Sequence, residues 1–362
     1  MADALRAEGA RVAFVGGTRA EAQLVPAAGY ELRTISVEGL SRTNPLHAAR
    51  ALVRAALAFP RARAILRALG PDAVLGGGGY VAGPVGLAAL SLRVPLVLTE
   101  ADSHLGLANR LLARGARRVC LAFPISGRDG ARYRVTGRPI PVPDADRADA
   151  RARFELADGE TCVLVFGGSL GARSINLAAV SAFAGDRADA GAGKTGREGW
   201  GLLGGAHDDA APLRVLHIAG RRDHSELAAR TLPAGRYDLR EYLDLDEFAQ
   251  ALAAADLVVA RSGGSVFEIA AYGLPAILVP YPHASADHQT ANARWMADAG
   301  AAVVIPDSEL TGARLGREVA ALLEDHPRLA AMARASRSLA RPDAARDVAS
   351  ELLAAANPVA RG

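Results

Sequence analysis

Lysine is almost absent from this chain of 362 residues, where Lys194 stands alone against 41 arginines. So lopsided a basic set, beside abundant alanine and glycine, reads as a genomic base-composition bias, and no arginine is informative merely for being one. Cysteine is nearly as scarce. Cys120 and Cys162 each sit in an apolar run; two thiols make no disulfide framework, so both are expected buried and reduced, as in a cytosolic protein. A net charge of +3 is too small to argue for a nucleic-acid partner. The opening stretch, MADALRAEGARV, lacks an apolar signal core. Residues 73–92 carry no charge over about the length that a membrane helix needs. Four consecutive glycines, Gly76 to Gly79, and Pro84 interrupt them, so a strand, a turn and a helix are expected there and no transmembrane segment.

What is present is the composition of a soluble globular protein, half hydrophobic and 22% charged, long enough for two domains with separate cores. Apolar runs bounded by Gly or Pro alternate with helical patterns. Strands are expected at Arg11–Val15, Ala73–Leu75, Leu96–Thr99, Arg118–Leu121, Cys162–Phe166, Arg214–Ile218, Leu257–Ala260, Ala276–Val279 and Ala302–Ile305. Helices are expected at Leu46–Leu69, Val266–Ala271 and Gln289–Ala299. This alternation implies an α/β fold with parallel sheets covered on both faces. The Pro-rich stretch Gly137 to Pro143, followed by Asp144-Ala145-Asp146, reads as an interdomain linker, and Gly185 to Pro212 as a mobile surface insertion. The expected division is residues 1–143, residues 144–335, and a C-terminal helical segment, 336–362, that packs back on the first domain.

Three segments could carry chemistry. In Val163 to Arg173 an apolar strand runs into Gly167-Gly168-Ser169-Leu170-Gly171 and then a helix with Asn176 in its second turn. Glycines let the backbone approach a ligand, and free amides at a helix start favour a phosphate. The same residues match G-x-S-x-G, the nucleophile elbow of α/β-hydrolases, with Ser169 as nucleophile. In Leu257 to Glu268 a second buried strand ends in the small-residue turn Ser262-Gly263-Gly264-Ser265. Glu268 follows one turn inside, where a carboxylate can accept two ribose hydroxyls or serve the helix start. The third segment, Tyr281 to Asn292, follows the strand Ala276–Pro280. Its His288 and Gln289 stand where open α/β sheets place ligands, with helix capping by Ser285 or Asp287 as the plainer reading.

Other features are weaker. Gly191-Ala192-Gly193-Lys194-Thr195 imitates the end of a phosphate-binding P-loop but has Ala188 where glycine is required and no strand before it. The pairs Asp144/Asp146 and Asp244/Asp246 read as linker and helix-cap residues, and no metal site is expected. Between Glu38 and Asp72 no acidic residue occurs, while Arg42, Arg50, Arg54, Arg61, Arg63 and Arg67 do. Such a basic amphipathic segment can lie on an anionic membrane or pack on its own sheet with a solvated arginine face.

The segments Gly77 to Pro84, Gly167 to Asn176, and Arg261 to Glu268 with Gln289 and Asn292 resemble, in order and spacing, those of the MurG family, the bacterial N-acetylglucosaminyltransferases that convert lipid I to lipid II. The resemblance spans nearly the whole chain and implies the GT-B architecture, two Rossmann-like domains facing each other across a cleft. It implies that Ser169, Gly264 and Ser265 hold the donor diphosphate with Arg261 beside it. Glu268 would bind the ribose, the backbone at Leu243 the uracil, and His288 with Gln289 the GlcNAc hydroxyls. Gly79, Tyr80, Glu100, Asp102 and Arg138 would serve the acceptor or line the cleft. The partners implied are UDP-GlcNAc, undecaprenyl-linked lipid I and the anionic cytoplasmic face of the membrane, met peripherally through Arg42–Leu69. No cofactor is implied. The implied biology is peptidoglycan synthesis, hence cell shape and division. Other GT-B enzymes, such as a lipid or natural-product glycosyltransferase or a UDP-GlcNAc epimerase, and a Ser169 hydrolase remain alternatives.

There are departures from the family pattern. The family opens on a strand and a glycine loop, GGTGGH, whose histidine is a candidate general base. Here Met1 to Leu5 reads as the helix after that loop, and Gly16-Gly17-Thr18-Arg19 follows the next strand without the histidine. The first strand and the base are therefore expected to be missing from this chain, with about two dozen residues lying upstream. The chain is then expected to bind UDP-GlcNAc yet transfer it poorly. Thr99 and Asp102 stand where the family often has His and Asn, Pro141 where it often has Arg, and the turn before Glu268 is one residue shorter.

Overall fold

The structure is a computed structural model that describes residues 1–37, 45–141, 143–168, 171–184, 212–230 and 232–357. Along the chain these form α1 (Ala2–Ala7), β1 (Ala13–Gly16), α2 (Glu21–Ala27), β2 (Glu31–Thr34), α3 (Pro45–Leu69), β3 (Val74–Gly76), α4 (Gly79–Ser91), β4 (Leu96–Glu100), α5 (Leu107–Leu112), β5 (Arg118–Leu121) and β6 (Tyr133–Val135). Then come α6 (Arg147–Arg153), β7 (Thr161–Phe166), α7 (Arg173–Ala184), β8 (Leu213–Ile218), α8 (His224–Ala228), β9 (Tyr237–Arg240), α9 (Leu245–Ala254), β10 (Leu257–Ala260) and α10 (Val266–Tyr272). The last are β11 (Ala276–Leu278), α11 (His288–Asp298), β12 (Ala302–Val304), α12 (Gly312–Glu324), α13 (His326–Ser338) and α14 (Ala344–Ala356). The chain divides into two compact units, Met1–Ile140 with Arg341–Gly362, and Pro141–Ala340.

The second unit is one six-stranded sheet in the order β12-β11-β10-β7-β8-β9, with every neighbouring pair parallel. Its central strands are continuous apolar runs because both faces are covered by helices. All four residues of β10 and the last five of β7 are buried. Val163, Val165, Ile175, Phe183, Val215, Leu257, Val259, Ile277 and Leu322 form the core of the unit. Fully burying such a side chain is worth about 1.5–3 kcal/mol. Local chemistry sets the helix ends. Asp244 and Glu247 form a reciprocal capping box at the start of α9, Asp146 accepts from the amides of Ala148 and Asp149 at α6, and Gly273 ends α10 in the left-handed conformation at φ 65°. The two Asp-x-Asp pairs thus include helix caps. No group of three or more potential metal ligands occurs among the described residues.

The first unit carries two parallel sheets, β1-β2 and β3-β4-β5-β6. Among the described residues β1 pairs only with β2, and β3 only with β4. The strand and GGTGGH loop that the resemblance supplies are not among these residues. Ile35, Ala62, Leu66, Val85, Leu96, Leu98, Leu112 and Leu121 make the core, with Val15 packed against it. Helix α14 lies against β4 and β5, where Val348 and Ala355 bury Val97 and Cys120. Glu351, 4% exposed, pairs there with Arg118 at 2.6 Å and with Arg134. Burial alone would raise the Glu351 carboxyl, but hydrogen bonds from Arg134 and Arg118 outweigh it and hold it below its ordinary value. Both cysteines are buried and unpaired, and burial pushes each thiol up to about 12.

All nine expected strands form, within two residues of their expected ends. Three more, β2, β6 and β9, were not expected. Each lies at the edge of its sheet, where the half-exposed sequences ELRT, YRV and YDLR show no apolar run. The segment 73–92 is strand, turn and helix, and no described helix is long and apolar enough to cross a membrane.

Candidate functional site

In the second unit the strand order reverses between β7 and β10: β8 and β9 continue on one side, β11 and β12 on the other. Ligands of open α/β sheets bind beyond the carboxyl ends of the strands at such a switch point. β7 and β10 are hydrogen-bonded neighbours in register, Phe166 opposite Ala260. The two glycine turns that follow them therefore emerge side by side.

The first turn joins β7 to α7. Gly171 has φ 80°, and a Cβ there would run into the carbonyl oxygen of Ala219, just past β8. Beneath it lies a buried polar chain. Asn176 donates through Nδ2 to the Ala219 oxygen and to Asp223, both at 2.9 Å. Its Oδ1 faces Nε2 of His217 at 3.0 Å, and Nδ1 of His217 lies 2.7 Å from the Tyr237 hydroxyl. With Nδ2 of Asn176 donating twice, its Oδ1 must accept, so His217 carries its proton on Nε2 and Nδ1 accepts a hydrogen bond from the Tyr237 hydroxyl. Burial pushes the imidazole down to about 3. Ser169 lies outside the described residues, as do Lys194 with its pseudo-P-loop and residues 185–211 of the insertion.

The second turn joins β10 to α10. Arg261, 11% exposed, pairs with Asp307 at 2.6 Å. It also donates to the carbonyls of Val279 and Pro280, each at 3.1 Å, and to Ser174 Oγ at 2.8 Å. Ser262 is fully buried and donates to the carbonyl of Gln289 at 2.7 Å. Asn292 donates to the Ser262 carbonyl at 3.0 Å, while its own buried Oδ1 has no partner. Gly264 and Ser265 are half-buried in the turn, and Glu268 is half-buried in the first turn of α10.

Gln289 joins this group. Its Oε1 accepts from the amide of Tyr281 at 2.9 Å, and its Nε2 lies next to Gly263. His288, half-buried, is the first residue of α11. The capping alternative at this helix does not hold for Asp287. It occupies the cap position in a left-handed conformation but makes no capping bond; its carboxylate accepts from Thr290 Oγ1 instead. Leu243 is buried just before α9. Of the donor residues implied by the resemblance, Arg261, Gly264, Ser265, Glu268, His288 and Gln289 therefore gather around the ends of β10 and β11. A cavity of about 360 Å³ opens instead beside Asp256, Tyr272 and Arg337, at the amino end of β10 and away from the glycine turns.

In the first unit the residues expected to serve the acceptor lie beyond β3, β4 and β6. Gly78 and Gly79 turn with φ 81° and 71° into α4, where Tyr80 is 45% exposed. Glu100 is 8% exposed; its carboxylate accepts from the amides of Gly106 at 2.8 Å and Asp102 at 3.3 Å, and from Asn109 Nδ2 at 3.0 Å. It builds the turn that carries Asp102. The Oδ1 of Asn109, 1% exposed, is unpartnered, and its Nδ2 lies where a Cβ on Gly78 would be 3.7 Å away. Arg138 is half-buried beyond β6. Helix α4 packs against both α3 and α5, and these helices expose Val53, Leu57, Leu87, Leu107 and Leu111. Arg42 lies outside the described residues.

Sequence reasoning did not single out Ser174, Ser262, Asn109 or Asp307. Ser262 stands inside a glycine turn already marked, and Ser174 in the first turn of the helix that follows one. Nothing near Asp307 in the chain marks it, since its partners are 46 to 133 residues away.

Comparison with known proteins covers both units. Residues 1–121 match the glycosyltransferase family 28 N-terminal domain, and residues 162–348 the family 28 C-terminal domain. The UDP-N-acetylglucosamine--N-acetylmuramyl-(pentapeptide) pyrophosphoryl-undecaprenol N-acetylglucosamine transferase of Moorella thermoacetica is 40% identical over 349 residues, covering 93% of this chain and 88% of that one. The transferase of the same name from Rubrobacter xylanophilus is 39% identical over 363 residues, covering 98% of each. Among solved structures, Acinetobacter baumannii MurG is 28% identical with a TM-score of 0.71, over 97% of this chain and 93% of that one. A likeness that runs through both Rossmann-like units at this level leaves one assignment, and the chain belongs to the MurG family of GT-B glycosyltransferases.

Proposed function

We propose that this protein transfers GlcNAc from UDP-GlcNAc to the C4 hydroxyl of the muramyl sugar of lipid I, forming lipid II. The observation that carries the proposal is the pairing of two glycine turns at the switch point between β7 and β10, in a chain whose relatives carry that transferase name at about 40% identity. In this reading Ser169, Gly264 and Ser265 surround the donor diphosphate, with Arg261 behind them. Glu268 accepts the ribose hydroxyls, the backbone at Leu243 meets the uracil, and His288 with Gln289 meets the GlcNAc hydroxyls. The second unit is then the donor domain. The first is the acceptor domain, with Gly79, Tyr80, Glu100, Asp102 and Arg138 at or near the lipid-linked substrate.

The chemistry is a single inverting displacement. The acceptor hydroxyl oxygen attacks C1 of GlcNAc and gives up its proton to water, the bond from C1 to the phosphate oxygen breaks, and UDP leaves with the negative charge. Backbone amides at the start of α7 and in the Gly263–Ser265 turn stabilise that charge because they are held in place before the reaction. Holding both sugars in line supplies the orientation.

The exposed apolar residues of α3, α4 and α5, together with the arginines of α3, support peripheral attachment to the anionic cytoplasmic face of the membrane. The experiment is transfer of labelled GlcNAc from UDP-GlcNAc to lipid I in anionic vesicles. Slow formation of lipid II with release of UDP is expected. Epimerisation or hydrolysis of UDP-GlcNAc without a disaccharide product would overturn the proposal.

A further inference from the structure

We propose that Asp307 and Ser174 are positioning residues of the donor site, acting through Arg261; the inference rests on the donor reading above. Arg261 stands directly after β10, at the switch point. An arginine in that place could grip a diphosphate itself. Its surroundings argue otherwise. The guanidinium is 11% exposed and lies 2.6 Å from the Asp307 carboxylate. It also donates to the carbonyls of Val279 and Pro280 at the end of β11 and to Ser174 Oγ. Ser174 in turn donates to Asp307 Oδ1 at 2.7 Å, closing a ring of three side chains.

Each member of the ring comes from a different element. Arg261 follows β10, Ser174 is the second residue of α7, and Asp307 opens the short 3-10 turn after β12. The carboxylate neutralises the arginine locally, so a nearby diphosphate feels little of its charge. What the ring contributes is geometry. Ser174 stands in the first turn of α7, and fixing it fixes the direction of that turn's free amides against the β10 turn. Charge-assisted hydrogen bonds of this kind hold a fork in one orientation, and a site depends on such supports when its ligand is bound by backbone groups.

The two roles for Arg261 predict opposite effects at Asp307. If Arg261 gripped the diphosphate directly, Asp307→Asn would release it from its counter-charge and leave UDP binding unchanged or tighter. If the ring positions the amides, the same change weakens UDP binding. The test is titration of the full chain with UDP by calorimetry and with uridine by NMR, for the wild type, Ser174→Ala, Ser174→Thr and Asp307→Asn, with thermal unfolding followed for each. Ser174→Ala and Asp307→Asn are expected to weaken UDP by about tenfold and uridine by less than about twofold. Ser174→Thr, which keeps the hydroxyl, is expected to restore UDP binding. UDP binding unchanged or tighter in Asp307→Asn overturns the proposal, and so does equal weakening of UDP and uridine, which would mean general loosening. A wild-type chain that binds neither compound overturns the donor reading instead, and the ring proposal falls with it.

Discussion

His217 Nε2 lies 3.0 Å from Asn176 Oδ1 in the fully buried centre of the second unit, so this imidazole is kept neutral by its surroundings. Its folded value, about 3, is far below the ordinary 6.5. A depressed value contributes stability that is fully present above 6.5. That stability is lost as the pH falls toward 3, because the unfolded chain takes up the proton first. Between those limits the wild type is expected to lose stability at about 1.4 kcal/mol per pH unit from this residue. Denaturant unfolding of the wild type and His217→Gln at pH 7, 5.5 and 4 checks it. The variant should show the shallower dependence, and equal slopes would contradict the neutral assignment.

Gly171 tolerates no side chain. Its positive φ costs an alanine about 1–2 kcal/mol, and the new Cβ would meet the Ala219 carbonyl. Gly171→Ala is therefore expected to displace the first glycine turn and weaken UDP-GlcNAc binding by at least about tenfold. Fluorescence-detected competition with UDP measures this. Gly159→Ala provides the control, since it too has a positive φ, but nothing lies within 4 Å of where its Cβ would stand; it should lose some stability and keep its affinity.

Glu351 locks α14 to the sheet of the first unit. Removing its charge leaves Arg118, 22% exposed, without its counter-ion. Glu351→Gln is expected to lower stability by about 1.5 kcal/mol, the worth of a hydrogen bond to a charged group whose partners stay partly solvated, read as a drop in the unfolding temperature of the first unit. Because its carboxyl is held below the ordinary value, the contribution is present above the ordinary carboxylate range and fades as the pH falls through the depressed value. At low pH the wild type and variant should converge.

The exposed leucines give the membrane reading its own test. Leu57 is 69% and Leu111 62% exposed, so replacing them should leave folding intact. Leu57→Asp with Leu111→Asp is expected to weaken co-sedimentation with anionic vesicles by at least about tenfold, since each buried leucine contributes about 1.5–3 kcal/mol. Unchanged sedimentation would remove these helices from the membrane-facing surface.

How much of this was legible in the sequence depends on which forces shape each part. The central strands β7 and β10 are buried on both faces, so they are apolar throughout and stand out. The edge strands β2, β6 and β9 face water along one side and carry charged residues, so no run marks them. The glycine turns were legible because backbone approach and positive φ demand glycine, as at Gly171. The ring of Arg261, Ser174 and Asp307 was not, for its members meet only once three strands and a helix have folded together. Glu100 shows a further limit. Its place in a turn could be read, but not that its carboxylate is engaged with the amides of that turn.

The proposed function stands or falls with a UDP-GlcNAc site at the turn after β10. Calorimetric titration of the full chain with UDP-GlcNAc, repeated on Glu268→Ala, tests it most directly. One site per chain is expected, competed by UDP, with an affinity lower by about tenfold or more in the variant, as when a charged hydrogen-bond partner of the ribose is removed. Binding of equal strength in the wild type and Glu268→Ala, or no binding at all, would contradict it.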